Sequence, residues 1–207
     1  MRAACTGFIA ALSLGTSAIE SGRARTVLAI GADGLTRYLD PDDRGSAMLF
    51  GDGAGAVVLG SVDGPSRVGP VALHSDASRR NLIRLTREEA RIRMDGPLVF
   101  RHAVRLMADV THEVLGASGI ALSDVDLFVY HQANSRILQA VGRELGLDPA
   151  RVVDVIDRFA NTSAASLPIA LSVAQAEGRL RPGDLVLLAA FGSGLVWGGA
   201  VVRWGAR

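Results

Sequence analysis

Ala160-Asn161-Thr162-Ser163 opens a helical pattern that closes on Gly178-Arg179-Leu180-Arg181 just before an apolar strand, and this stretch decides the fold because it occurs twice. Near the start of the chain Ala4-Cys5-Thr6 opens a helical pattern that closes on Gly22-Arg23-Ala24-Arg25, again before an apolar strand. Cys5 to Asn161 and Gly22 to Gly178 are both separations of 156 residues. Further on, Phe50-Gly51-Asp52-Gly53 precedes Gly55-Ala56-Val57-Val58, just as Phe191-Gly192-Ser193-Gly194 precedes Gly199-Ala200-Val201-Val202. Matched order across four elements reads as a duplicated half-domain rather than a chance likeness among small residues. The halves divide at residues 1–62, which carry Cys5, and 63–207, which carry His131 and Asn161. Two strand-helix units and a strand lead up to Asn161, whereas four residues lead up to Cys5. The first half is therefore expected to be incomplete, lacking roughly 90 residues relative to the second, as in an N-terminally truncated protein.

Working outward, apolar runs predict strands over 26–30, 54–59, 68–73, 126–130, 152–156, 185–190 and 195–202. Helical spacing predicts helices from Cys5 to Gly22 and over 99–115, 136–145 and 163–176. Residues 75–95 are polar, rich in arginine and without a clean period, and read as an excursion from the core. Strands that alternate with helices and are apolar throughout predict an α/β protein whose sheets are covered on both faces. The composition agrees: of 207 residues 49% are hydrophobic and 21% charged, which excludes a disordered chain. The 22 basic residues, all arginine, nearly cancel 21 acidic ones, so the net charge of +1 gives no bulk field for nucleic acid or an anionic membrane. With no lysine, a Schiff base is excluded. Residues 185–202 are uncharged and long enough to be scanned as a membrane span, but Gly192, Gly194, Gly198 and Gly199 favour two buried strands around a turn. With one cysteine and no visible targeting signal, the chain reads as a cytoplasmic protein without membrane contact.

Three residues sit where chemistry is commonly built. Cys5 is at a helix start, where free N–H groups and the helix dipole favour a thiolate, although a lone cysteine is usually a small buried hydrophobe. His131 ends an apolar strand, a common place for sites in α/β proteins and equally for a structural histidine. Asn161 opens the repeated helix, a position that an ordinary N-cap would also explain. As a set at the ends of three core elements, two of them equivalent in the repeat, they form a candidate constellation.

Ala4-Cys5-Thr6-Gly7-Phe8, Phe50-Gly51-Asp52-Gly53-Ala54-Gly55, His131-Gln132-Ala133-Asn134, Asn161-Thr162-Ser163-Ala164-Ala165-Ser166 and Phe191-Gly192-Ser193-Gly194 resemble, in order and across the chain, the signatures of β-ketoacyl-[acyl-carrier-protein] synthase III of the thiolase-like superfamily. The resemblance implies a layered αβαβα fold of duplicated halves and an acyltransferase that initiates fatty acid synthesis by decarboxylative condensation of acyl-CoA with malonyl-[acyl-carrier-protein]. It implies Cys5 as nucleophile, His131 and Asn161 as hydrogen-bond donors to the malonyl thioester, and the Cys5 and Ser193 backbone N–H groups as the oxyanion site. By the same resemblance Arg44, Gln132, Asn134 and Gly96 contact CoA, Leu35 and Phe50 border the acyl pocket, and Arg101, Arg136 and Arg143 dock the acidic carrier. Acyl-CoA is a substrate, no cofactor or metal is implied, and the full-length form is implied to be a homodimer.

The pattern departs from the family in three ways: Ala160 replaces the glycine usual before the asparagine, Pro97 replaces a polar residue, and the opening segment is absent. Thiolases need a second cysteine, elongating synthases a second histidine where Asn161 stands, and type III polyketide synthases carry a different C-terminal glycine loop. A specialised acyltransferase or starter-unit synthase of secondary metabolism, and an inactive truncated fragment, are the remaining alternatives.

Overall fold

A computed structural model describes residues 3–86 and 88–205. After a turn of 3-10 helix over Ala4–Thr6, helix α1 (Gly7–Glu20) leads into an antiparallel pair of strands, β1 (Thr26–Asp33) and β2 (Gly53–Gly60). Strand β3 (Val68–Ser75) is followed by a small hairpin, β4 (Ile83–Leu85) and β5 (Ile92–Met94), and by the long helix α2 (Gly96–Ser118). The chain then forms β6 (Leu127–Tyr130), α3 (Ser135–Glu144), the single turn α4 (Ile156–Phe159), α5 (Ser166–Ala176), β7 (Leu185–Gly192) and β8 (Val196–Arg203). Strands β3, β8, β7 and β6 form one sheet in that order, parallel only between β6 and β7.

The repeat is visible in the fold. A 3-10 turn, a helix and an antiparallel strand pair recur as Ala4–Thr6, α1, β1, β2 and as Ser163–Ala165, α5, β7, β8. Both helices end the same way. Gly22 (φ +73°) and Gly178 (φ +71°) take the left-handed conformation, and the next N–H groups, of Arg23 and Arg179, donate to Ala18 and Ala174. These bonds satisfy carbonyls at the helix end that would otherwise lack partners.

Helices α1 and α5 lie between the two sheets. Phe8, Ile9 and Leu12 of α1 and Leu167, Ala170 and Leu171 of α5 share a buried cluster with Ala29 of β1 and with Leu127, Val129, Val186 and Leu188 of the larger sheet. The opposite face of that sheet, through Phe128, Tyr130, Leu187 and Val201, packs under Met107, Val110 and Val114 of α2 and Leu138 and Val141 of α3. The larger sheet is thus covered on both faces. The β1–β2 pair is not: Leu28, Ile30 and Val58 on its outer face are 57%, 54% and 65% exposed, and nothing packs over them among the described residues. The expectation that every sheet would be covered twice fails here.

Two further elements differ from the sequence reading. Helix α2 starts three residues early, because Asp95 caps it by accepting from the Leu98 N–H, and Pro97 sits in the first turn, where no N–H is needed. The strand expected over 152–156 shrinks to a single bridge from Val152 to Phe128 and a bond from the Val153 N–H to the Phe128 carbonyl. Beyond it the Gln132 side chain takes the place of a partner strand, donating to the Val153 carbonyl at 3.0 Å and accepting from the Val155 N–H at 2.8 Å.

Candidate active site

Both halves meet at one cavity of about 870 Å³. Cys5 reaches it from the turn before α1, at the wall where Gly192 closes in. A Cβ on Gly192 would stand 2.8 Å from the Cys5 nitrogen and 3.1 Å from its Cβ, so only glycine allows this approach. The next residue, Ser193, is tied to the β4 strand by its hydroxyl, which donates to the Ile83 carbonyl at 2.7 Å. Its backbone N–H shares the loop that abuts Cys5.

Asn161 is held from the first half. Its N–H donates to the Leu49 carbonyl at 2.8 Å and its carbonyl accepts from the Gly51 N–H at 3.0 Å, a parallel bridge centred on Phe50. The side-chain Oδ1 accepts from the Ser163 N–H at 3.0 Å, which leaves the Nδ2 hydrogens as the free end of the amide. The preceding Ala160 has φ +57° and ψ −169°, a glycine-like conformation, and its repeat equivalent Ala4 also has a positive φ, +44°. Close packing extends to β1: a Cβ on Gly31 would fall 2.2 Å from the Ala164 carbonyl oxygen, and Asp33 accepts from the Ala164 N–H at 3.0 Å.

His131 extends the β6 ladder by donating its N–H to the Ala189 carbonyl, and its buried ring lies with Nδ1 2.7 Å from Ser166 Oγ. Burial lowers its pKa to about 4, so the ring is neutral near pH 7. Burial also pushes the Cys5 thiol up to about 11; a hydrogen bond from Ser163 pulls the other way, and the Asp33 charge adds to the rise. Desolvation thus outweighs the donors around the sulfur, against the expectation that the helix start favours a thiolate.

Leu35, Arg44, Phe50, Gly96, Asn134, Arg136 and Arg143 line the same cavity. Arg44, Arg136 and Arg143 have no carboxylate partner among the described residues, so its rim is positively charged. Asn134 also caps α3, accepting from the Arg136 N–H at 2.9 Å. One residue expected at the ligand lies elsewhere. Gln132 is buried with its amide committed to backbone groups, including the Tyr130 carbonyl at 2.8 Å, so it braces the His131 turn instead of reaching a ligand. Arg101, expected on the carrier-docking surface, is exposed on α2 outside the cavity lining.

The residues that sequence reading missed are in the excursion. Ile83, Leu85, Ile92 and Met94 of the hairpin form an apolar wall of the cavity. Arg84 and Arg93 alternate with them, paired to Glu89 at 3.3 and 3.4 Å, and Arg93 bonds Asp40 at 2.7 Å in the loop that carries Arg44. That guanidinium, with the Asp42 N–H, holds the Asp40 carboxyl below the usual range. The period-two alternation was readable, but three-residue strands are too short to stand out. No group of three or more side chains able to hold a metal ion occurs, and no helix is long and apolar enough to cross a membrane, among the described residues.

A family model described as 3-oxoacyl-[acyl-carrier-protein] synthase III matches residues 1–77, and one for the C-terminal part of the same family matches residues 115–204. The chain is 46% identical over 211 residues to the β-ketoacyl-[acyl-carrier-protein] synthase III of Rhizorhabdus wittichii, covering 99% of this chain and 66% of that protein. It is 44% identical to that of Paracoccus denitrificans, covering 99% and 67%. The crystal structure of the Thermus thermophilus synthase III superposes with a TM-score of 0.94 at 40% identity, covering 99% of this chain and 67% of that one. The chain thus spans about two thirds of the length of the curated relatives it matches.

Proposed function

Because the chain belongs to the 3-oxoacyl-[acyl-carrier-protein] synthase III family, we propose that it joins an acyl-CoA starter to malonyl-[acyl-carrier-protein] and so initiates fatty acid synthesis. The observation that carries this reading is the convergence of Cys5 from the first half with His131 and Asn161 from the second on one cavity. The Cys5 sulfur attacks the acyl thioester, the C–S bond to CoA breaks, and the thiol proton leaves with CoA. Backbone N–H groups of Cys5 and Ser193 stabilise the oxyanion formed on the way. Malonyl thioester then binds with its carbonyl between the free donors of His131 and Asn161. Its bond to the carboxylate breaks, CO₂ leaves, and the electron pair is held as an enolate by those two donors. The enolate carbon attacks the acyl carbonyl, the C–S bond to Cys5 breaks, the departing Cys5 thiolate takes up a proton from solvent, and the 3-ketoacyl product departs.

Arg44, Asn134 and Gly96 are the groups assigned to CoA and its pantetheine arm, Leu35 and Phe50 with the β4–β5 hairpin to the acyl chain, and Arg136 and Arg143 to the acidic carrier. Arg101 belongs to this docking set as an exposed cation on α2. The same reading makes the protein a cytoplasmic enzyme that pairs with a second copy. The test is intact mass after incubation with short acyl-CoAs, then product analysis with malonyl-[acyl-carrier-protein]. One acyl adduct on Cys5 and a 3-ketoacyl thioester are expected. Absence of any adduct, or of carbon–carbon bond formation with every starter, overturns the reading.

A further inference from the structure

Ser166 is the first residue of α5, almost fully buried, and its hydroxyl faces two groups at the end of β6. His131 Nδ1 lies 2.7 Å away and the Gln132 N–H donates to the same oxygen at 3.3 Å. A serine hydroxyl has one proton and two lone pairs. The Gln132 N–H is a donor only, so it occupies one lone pair. Ser166 Oγ makes no hydrogen bond to a carbonyl or carboxylate among the described residues, which leaves Nδ1 as the acceptor for its proton. With the ring turned the other way, donating from Nδ1, the hydroxyl proton would be buried without a partner, an arrangement that folded proteins avoid.

We propose that Ser166 is a positioning residue that fixes His131 in the tautomer protonated on Nε2, so that its free end is a hydrogen-bond donor and not a base. The ring carries a single proton near neutral pH, since burial holds it neutral, and that proton is then placed on the nitrogen away from Ser166. Asn161 is arranged by the same logic, its Oδ1 occupied by the Ser163 N–H and its Nδ2 hydrogens left free. Each of the two side chains has its acceptor end bound by the protein and its donor end free. Two donors suit a developing oxyanion; a base at either position would not. Gln132 contributes through its backbone, since its N–H is what commits the serine to donating.

The consequence for chemistry rests on the proposed decarboxylation, and the test separates the two. Nitrogen NMR on the whole chain labelled at histidine is expected to show the His131 proton on Nε2. Ser166→Ala is expected to give a mixture of tautomers, and Ser166→Thr, which keeps the hydroxyl, to restore the single one. Decarboxylation of malonyl-[acyl-carrier-protein] should fall about tenfold in Ser166→Ala, the size of one lost hydrogen bond, while acylation of Cys5 from acyl-CoA stays within about twofold. A general packing defect would lower both. A proton on Nδ1 in the unmodified protein overturns the proposal, as does an unchanged tautomer in Ser166→Ala. If Ser166→Ala fails to fold, Ser166→Cys, similar in size and a weaker donor, is expected to shift the tautomer balance in the same direction, and no shift there refutes the assignment. Failure of the unmodified protein to decarboxylate malonyl-[acyl-carrier-protein] refutes the synthase reading alone, because the spectrum still decides the tautomer.

Discussion

Replacing Ala160 by glycine is expected to stabilise the protein. Ala160 has φ +57° and ψ −169°, a combination that an L side chain adopts at a cost of about 1–3 kcal/mol. Glycine removes that strain but gives back about 0.4–1 kcal/mol through a freer unfolded chain. The balance is a gain of about 1 kcal/mol, which for a chain of this size raises the melting midpoint by about 2–4 °C. The bonds that place Asn161 are made by backbone groups on either side: the Ala160 N–H to Ile156 at 2.8 Å, the Asn161 N–H to Leu49 at 2.8 Å, and the Gly51 N–H to the Asn161 carbonyl at 3.0 Å. None involves the methyl, so turnover should change by no more than about twofold, a few tenths of a kcal/mol. Equilibrium urea unfolding measures the effect, read at constant slope so that a change in the unfolded state is not mistaken for a gain. A lower midpoint for Ala160→Gly would show that the surroundings relieve the strain at this residue and would refute the reasoning.

Alkylation of Cys5 by iodoacetamide should rise with pH toward an inflection near 11, since only the thiolate reacts and burial holds the thiol protonated. Asp33→Asn should move the inflection down, and a plateau below pH 8 would contradict the desolvated environment. His131 is depressed to about 4 in the fold against an ordinary value of 6.5, so the unfolded chain takes up a proton first as pH falls. Stability contributed by the neutral buried ring is whole above pH 6.5 and lost progressively down to about 4, amounting to about 3 kcal/mol. Unfolding measured across that window should show the loss, and His131→Gln should flatten it; an equally steep profile in the variant would assign the acid sensitivity elsewhere. Gly192→Ala should cut acylation of Cys5 by at least about tenfold, because a methyl 2.8 Å from the Cys5 nitrogen meets backbone that cannot yield. Unimpaired adduct formation would mean that the loop moves freely.

Much of the fold was legible because its signals are local. The helix ends at Gly22 and Gly178 depend on one glycine each, and the strand β6 on four consecutive apolar residues, so both could be read within a few positions. The strand expected over 152–156 was misread because its partner is the Gln132 side chain, more than twenty residues away, and no local pattern signals that bond. The hairpin wall was missed because its strands are three residues each, shorter than the window in which alternation becomes visible. Gln132 could be named by motif, but whether a side chain reaches a cavity depends on what surrounds it after folding.

By itself, then, the sequence determined the repeat, the order of helices and strands, and the residue types that stand at their ends, because propensity, capping and periodicity act over one or two turns of chain. Tertiary structure alone decided the chemistry those residues can perform. It set Gly192 against Cys5 across 187 positions, clamped Asn161 onto Leu49 and Gly51, and raised the thiol by desolvation where the helix start alone suggested the opposite. It also brought Ser166 to Nδ1 of His131, fixing which nitrogen faces the cavity with a proton. Proton positions and ionisation depend on the field and solvation at a point in space, and several distant segments must converge before that point exists.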